Sequence, residues 1–120
     1  MDSLVFKLAD GRNLDLLVGA GDSQTAIIFH HGTPSCAFTW KSWVEHFEKL
    51  GIRSIAYSRA GYYTSDRKVG RDIVSVNSDI AEVLDHFSID SFVAVGWSGG
   101  GPHALASNLD PRCKSAVVLA

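Results

Sequence analysis

The residues best suited to chemistry are Gly96-Trp97-Ser98-Gly99-Gly100, which directly follow the apolar run Phe92-Val93-Ala94-Val95. A Gly-x-Ser-x-Gly pattern between a buried strand and a helix places the serine on a sharp turn with its hydroxyl exposed, the posture of a nucleophile. Backbone strain is expected at that serine. Side chains two residues to either side would collide, so Gly96 and Gly100 are expected to be steric necessities. The helix start behind Ser98 directs N–H groups and the positive end of its dipole toward developing negative charge. Pro102 is compatible with this helix because the first turn has no use for its missing N–H. A random chain of this length holds roughly 0.04 such patterns, so chance is a poor explanation of the match.

A serine attacking a carbonyl needs two donors for the oxyanion. The second informative motif, His30-His31-Gly32-Thr33-Pro34, follows the apolar run Thr25 to Phe29 and can supply one of them. The two expected donors are the N–H of Gly99, just after the serine, and the N–H of Thr33. Gly32 permits the loop to turn and Pro34 fixes it. His31 is expected to brace this loop by hydrogen bonds rather than to act as a base.

The surrounding pattern is two strands followed by alternating strands and helices. Ser3 to Ala9 and Asn13 to Val18 read as a hairpin across Asp10-Gly11. Thr25 to Phe29 is a continuous apolar run, suited to a strand buried on both faces. Trp40, Trp43, Val44, Phe47 and Leu50 recur at helical spacing, and Gly51 stops that helix. Ile52 to Tyr57 reads as a strand and Ser58 to Arg71 as a loop. Ile73, Val76, Ile80, Val83, Leu84 and Phe87 form a second apolar stripe, opposite a polar face of Asp72, Asn77, Asp79, Glu82 and Asp85. Ser91 to Val95 is a strand, Gly99 to Leu109 a helix and Ala116 to Ala120 a last buried strand. This order predicts an α/β chain with a mostly parallel sheet covered by helices.

Composition narrows the classes. The 120 residues form one domain, 46% hydrophobic and 20% charged, with net charge −2. No strong field points to nucleic acid or an anionic membrane: the basic residues Arg53, Arg59, Arg67, Lys68 and Arg71 are scattered, and Arg67-Lys68 is too short a run to count as a patch. No apolar run approaches the roughly 18 residues of a membrane span. The start of the chain lacks the pattern of a signal peptide, so a cytoplasmic location is expected, with Cys36 and Cys113 as free thiols. No metal or other cofactor is expected.

Taken together, the two motifs resemble those of the α/β-hydrolase fold family, in its branch with a His-Gly-x-Pro loop. Gly96 to Gly100 is similar to the family's nucleophile elbow and His31-Gly32-Thr33-Pro34 to its oxyanion loop. The order of elements agrees along nearly the whole chain, which resembles the family's N-terminal half. One loop departs from the pattern: relatives commonly read Asp-Arg-Pro-Gly-Tyr-Gly where this chain has Ser58-Arg59-Ala60-Gly61-Tyr62-Tyr63. The resemblance implies a serine hydrolase acting on a small-molecule ester or amide, and a serine at position 98 favours esterase, lipase, peptidase or acyltransferase relatives over those with aspartate there.

The family's triad runs serine, acid, histidine, which implies partners after the last strand seen here. His103 lies five residues past Ser98, about 7.5 Å of rise and a rotation of about 140° away on a helix, so it faces elsewhere. Asp110 lies beyond the far end of that helix. His46 and His86 belong to outer helices and are expected to face solvent or cap them. An incomplete enzyme is therefore expected, with an apolar last strand open to self-association. The alternative is a non-catalytic binding module that keeps the fold. An anion-binding loop is a weaker reading, since Gly-x-Gly-x-x-Gly spacing is missing. Trp97, Phe38 and Trp40 are candidates to line an apolar pocket or to sit in the core.

Overall fold

The computed structural model describes residues 1–120. Strands β1 (Asp2–Lys7) and β2 (Asn13–Val18) pair antiparallel. Gly11 turns between them at φ +93, a left-handed conformation open to glycine. β2 also pairs antiparallel with β4 (Ser54–Tyr57). The remaining pairings are parallel. β3 (Thr25–His30) lies between β4 and β5 (Ser91–Trp97), and β6 (Cys113–Leu119) flanks β5. The sheet order is therefore β1-β2-β4-β3-β5-β6.

That order positions the site. From β3 the chain passes to β4 on one side and later returns to β5 on the other. The loops leaving β3 and β5 diverge there, which opens a crevice at the carboxyl ends of the strands. His30 lies opposite Gly96 in the register, so the two motifs singled out in the sequence leave the sheet side by side.

The core has two halves because strand residues alternate between faces. Ile28, Ile55 and Ala94 point to one face, packed with Val76, Ile80, Val83 and Leu84 of helix α2 (Val76–His86) and Ala104 of α3 (Gly101–Ala106). Phe29 and Ala56 point to the other, packed with Trp40 and with Val44 of α1 (Lys41–Lys49). The expected helix of 99–109 is a continuous run of one α-helix with a 3₁₀ turn at each end, Ser98–Gly100 and Ser107–Leu109. Both cysteines are free. No helix is long and apolar enough to cross a membrane.

Several boundaries differ from the sequence reading. β6 starts at Cys113, before the apolar run, since ladder bonds to β5 do not require apolar side chains. It is an edge strand, with Val117 and Val118 exposed. Ile73 is exposed and precedes α2. A tight turn holds the chain there: Ser75 N–H donates to the Asp72 carboxylate at 2.8 Å, and Asp72 N–H donates to Ser75 Oγ at 3.1 Å. Leu50 lies past α1 and is exposed, and Trp43 is 43% exposed despite its place in the apolar stripe.

Asp79 is the main correction. Its place on the polar face of α2 predicted exposure, yet it is 4% exposed. Arg12, in the turn of the first hairpin, donates to both carboxylate oxygens, at 2.6 and 3.2 Å. Its Nε also donates to Asp10 at 2.8 Å. This fork pins the hairpin to α2, with Asp79 buried and Arg12 half-buried. Replacement Asp79→Ala removes two charge-assisted hydrogen bonds but leaves Arg12 its pair with Asp10, and is expected to lower stability by about 2 kcal/mol in urea denaturation, whereas Asp85→Ala, at an exposed pair with Arg112, shifts it by less than about 1 kcal/mol.

Candidate functional site

Ser98 follows β5 immediately, is exposed, and has φ +52. Few residues other than glycine adopt this left-handed backbone, and it costs roughly 1–2 kcal/mol. The cause lies in the neighbouring glycines. A Cβ on Gly96 would meet the Gly100 carbonyl group and lie 2.8 Å from Ala104 Cβ. One on Gly100 would meet the His30 carbonyl and lie 2.7 Å from the His31 oxygen. Strand β5 and the helix start therefore approach at backbone contact, and the intervening Ser98 takes the strained turn. Its Oγ makes no hydrogen bond within the chain.

The loop after β3 closes over this turn. A Cβ on Gly99 would lie 2.6 Å from Thr33 Oγ1 and 3.1 Å from Thr33 N, so the Thr33 amide sits directly beside Gly99. Thr33 N–H donates to no backbone carbonyl. Gly32 lies flat on the Trp97 ring, where a Cβ would be 3.1 Å from two ring carbons. The Thr33–Pro34 peptide is cis.

His31 and Arg59 hold this loop in shape. The His31 ring is buried. Its Nε2 accepts from Arg59 N–H at 2.9 Å, so Nδ1 carries the proton and donates to Gly32 O at 2.6 Å. Both ring nitrogens are thus engaged away from Ser98. The Arg59 guanidinium donates to the carbonyls of His31 and Gly32 and to Thr33 Oγ1. Only 2% exposed, it has no carboxylate partner and is balanced by carbonyl dipoles. In the sequence it read as one of several scattered basic residues. The available signal was its place two residues beyond a buried strand, where a charge must find partners.

Ser58 begins the departing loop. Its Oγ donates to the buried Asp15 at 2.7 Å and accepts from Ala37 N–H at 2.9 Å. Tyr63, where the resembling pattern has glycine, takes φ +50. Its ring meets Phe38 edge-on, with centroids 5.4 Å apart. The two exposed aromatics bridge the loops after β3 and β4. Of the candidate pocket residues, Phe38 is therefore at the surface. Trp40 is 2% exposed and stacks on Phe29 at 4.6 Å. Trp97 is half-exposed and shares with Trp40, Trp43 and Leu119 an apolar cleft of about 220 Å³.

The remaining histidines also have other partners. His30 is fully buried. Tyr57 O–H donates to its Nδ1 at 2.6 Å, and its Nε2–H donates to Ser107 Oγ at 3.3 Å, which leaves the Ser107 proton for His103 O at 3.2 Å. His103 Nδ1 donates to Gly99 O at 3.0 Å, and its Nε2 is buried without a partner. His46 and His86 are exposed on α1 and α2. No imidazole is hydrogen-bonded to Ser98.

A sequence model described as alpha/beta hydrolase fold matches residues 25–120. A bifunctional esterase/perhydrolase from Acinetobacter calcoaceticus is 34% identical over 76 residues, covering 62% of this chain and 28% of that protein. An epoxide hydrolase from Caballeronia sordidicola is 32% identical over 89 residues, covering 72% of this chain and 26% of that protein. Among solved structures, an esterase from Exiguobacterium antarcticum superposes with a TM-score of 0.75 at 26% identity, over 94% of this chain and 41% of its own. The chain therefore spans less than half the length of these relatives.

Two outcomes test the geometry. Gly100→Ala is expected to cost about 3 kcal/mol or more, because backbone on both sides must shift; urea denaturation measures it. Burial first, then neighbouring charge, holds His30 near 3 and His31 near 4, and lowers His103 as well. Unfolded histidines titrate near ~6.5, so below that pH the unfolded chain binds protons that the folded chain refuses. Stability is thus full above about pH 6.5 and falls progressively toward pH 4. The urea midpoint is expected to be lower at pH 5 than at pH 7, and His31→Gln is expected to narrow that difference.

Proposed function

The chain belongs to the α/β-hydrolase fold family, and within it we propose a serine hydrolase: Ser98 Oγ attacks the carbonyl of an ester or amide, and water resolves the acyl-enzyme. The carrying observation is the left-handed, exposed Ser98 between two glycines that admit no Cβ. In this reading the N–H groups of Thr33 and Gly99 receive the oxyanion. Gly32 and Pro34 shape the loop, and His31 supports it.

Both esterases and an epoxide hydrolase stand among the relatives, and the chemistry of the nucleophile favours the first. A serine that opened an epoxide would be left as an alkyl ether, which water does not cleave. A carboxylate nucleophile would leave a hydrolysable ester. A serine attacking a carbonyl leaves an ester directly, so carbonyl substrates suit Ser98. The His-Gly-x-Pro loop at residues 31–34 supports placement in the branch that carries it.

Every histidine of these 120 residues is engaged or faces elsewhere. We therefore assign the triad's acid and base to sequence outside this segment, which would correspond to the N-terminal half of its longer relatives. The unaided chain is then a scaffold holding an unactivated serine, which is also the observation that favours a non-catalytic role.

Fluorophosphonate labelling with the adduct mapped by mass spectrometry separates these readings. The folded 120-residue chain alone is expected to give no adduct. A protein extended through the missing acid and histidine is expected to label at Ser98 and to lose the label in Ser98→Ala. A folded, extended protein that stays unlabelled would overturn the serine-hydrolase reading.

A further inference from the structure

The segment between β4 and α2 carries cations that make no ion pair. Arg67, Lys68 and Arg71, with Tyr62 and the backbone of Gly61 and Gly70, line an open pocket of about 550 Å³. No carboxylate is among its lining groups. None of the three cations takes part in any of the chain's ion pairs. Asp72 and Asp79 line a small adjoining cleft with Lys68 and Arg71 but make no ion pair with them, and the acids nearby have other partners. Arg12 holds Asp10 and Asp79. Asp66 accepts from Asn13 N–H at 2.6 Å, and Asp72 from Ser75 N–H at 2.8 Å. Lys68 is close enough to Asp10 to help hold its carboxyl low, after the larger effect of Arg12, but makes no pair with it. In a chain of net charge −2, this is a local reversal of sign.

The pocket adjoins the loops around Ser98. The Tyr62 ring lies 5.5 Å from the Arg59 guanidinium and 5.9 Å from that of Arg71. Arg59 commits its donors to the loop after β3, whereas the Arg71 fork is free. After burial and Arg59, the charge of Arg71 also helps push His31 and His103 down. Gly61, at φ +88, brings the chain close: a Cβ there would be 4.0 Å from Arg67 Cα. Planar guanidinium forks match the paired oxygens of carboxylate and phosphate groups.

We propose that this pocket binds an oxyanion group, carboxylate or phosphate, held bidentately by Arg71 and supported by Lys68 and Arg67. The site stands independently of any chemistry at Ser98. Its test is a titration of the ¹⁵N-labelled chain with inorganic phosphate and, separately, with acetate, against chloride at matched ionic strength. The expected result is saturable amide shifts across Gly61 and Arg67–Arg71 with at least one oxyanion and not with chloride, equally in Ser98→Ala. Saturation by phosphate alone assigns the dianion, and saturation by acetate assigns the carboxylate. The double variant Lys68→Gln/Arg71→Gln is expected to weaken binding about tenfold or more with an unchanged circular dichroism spectrum. Shifts that chloride reproduces, or saturable shifts that persist in the double variant, would overturn the proposal. The chloride comparison uses the unmodified chain, so the test does not depend on the variant folding.

Discussion

No side chain fits between Gly100 and the carbonyl of His30, and the rest of the site depends on that contact. It presses the start of the helix onto the ends of two parallel strands. Because His30 and Gly96 are register partners, the pressure falls where both chains leave the sheet. Ser98 has no relaxed backbone available in that space. Its left-handed turn is the local consequence of a packing requirement set by its neighbours on either side. Exposure of the hydroxyl follows from the same turn.

A second constraint is electrical. Arg59 is buried among carbonyl oxygens without a carboxylate, and His31 accepts from its backbone N–H. A protonated His31 would lose that acceptor and set two cations side by side in a poorly hydrated space. The loop is therefore compatible only with a neutral imidazole. Its shape rests on a proton count as much as on packing, and this ties the posture of Thr33 to residues from a different strand end.

The sequence made legible whatever depends on local pattern. Continuous apolar runs identified the parallel strands, and glycine spacing identified the turn around Ser98. Asp79 was misread because its pattern on α2 is that of a solvent face, while its partner Arg12 lies 67 residues away. Nothing in helical periodicity encodes that distance. Arg59 was overlooked for a similar reason, since its acceptors are main-chain carbonyls that carry no sequence signal. Tyr63 is the opposite case. Its departure from the resembling glycine was visible, but the φ +50 backbone and the edge contact with Phe38 became apparent only in three dimensions.

Trp40 and Trp97 occupy very different surroundings, and this gives the chain a built-in optical reporter. Trp40 is sealed against Phe29, so its emission should be blue-shifted and insensitive to quenchers in solution. Trp97 is half-exposed, directly precedes Ser98 and forms the surface on which Gly32 rests. Any change in the posture of the loop after β3 must alter the solvent around that indole. Trp43 is as exposed as Trp97, so with Trp43 replaced by phenylalanine, collisional quenching by iodide or acrylamide would separate the two remaining indoles, and Trp97 would register motion at the mouth of the site without a label being added.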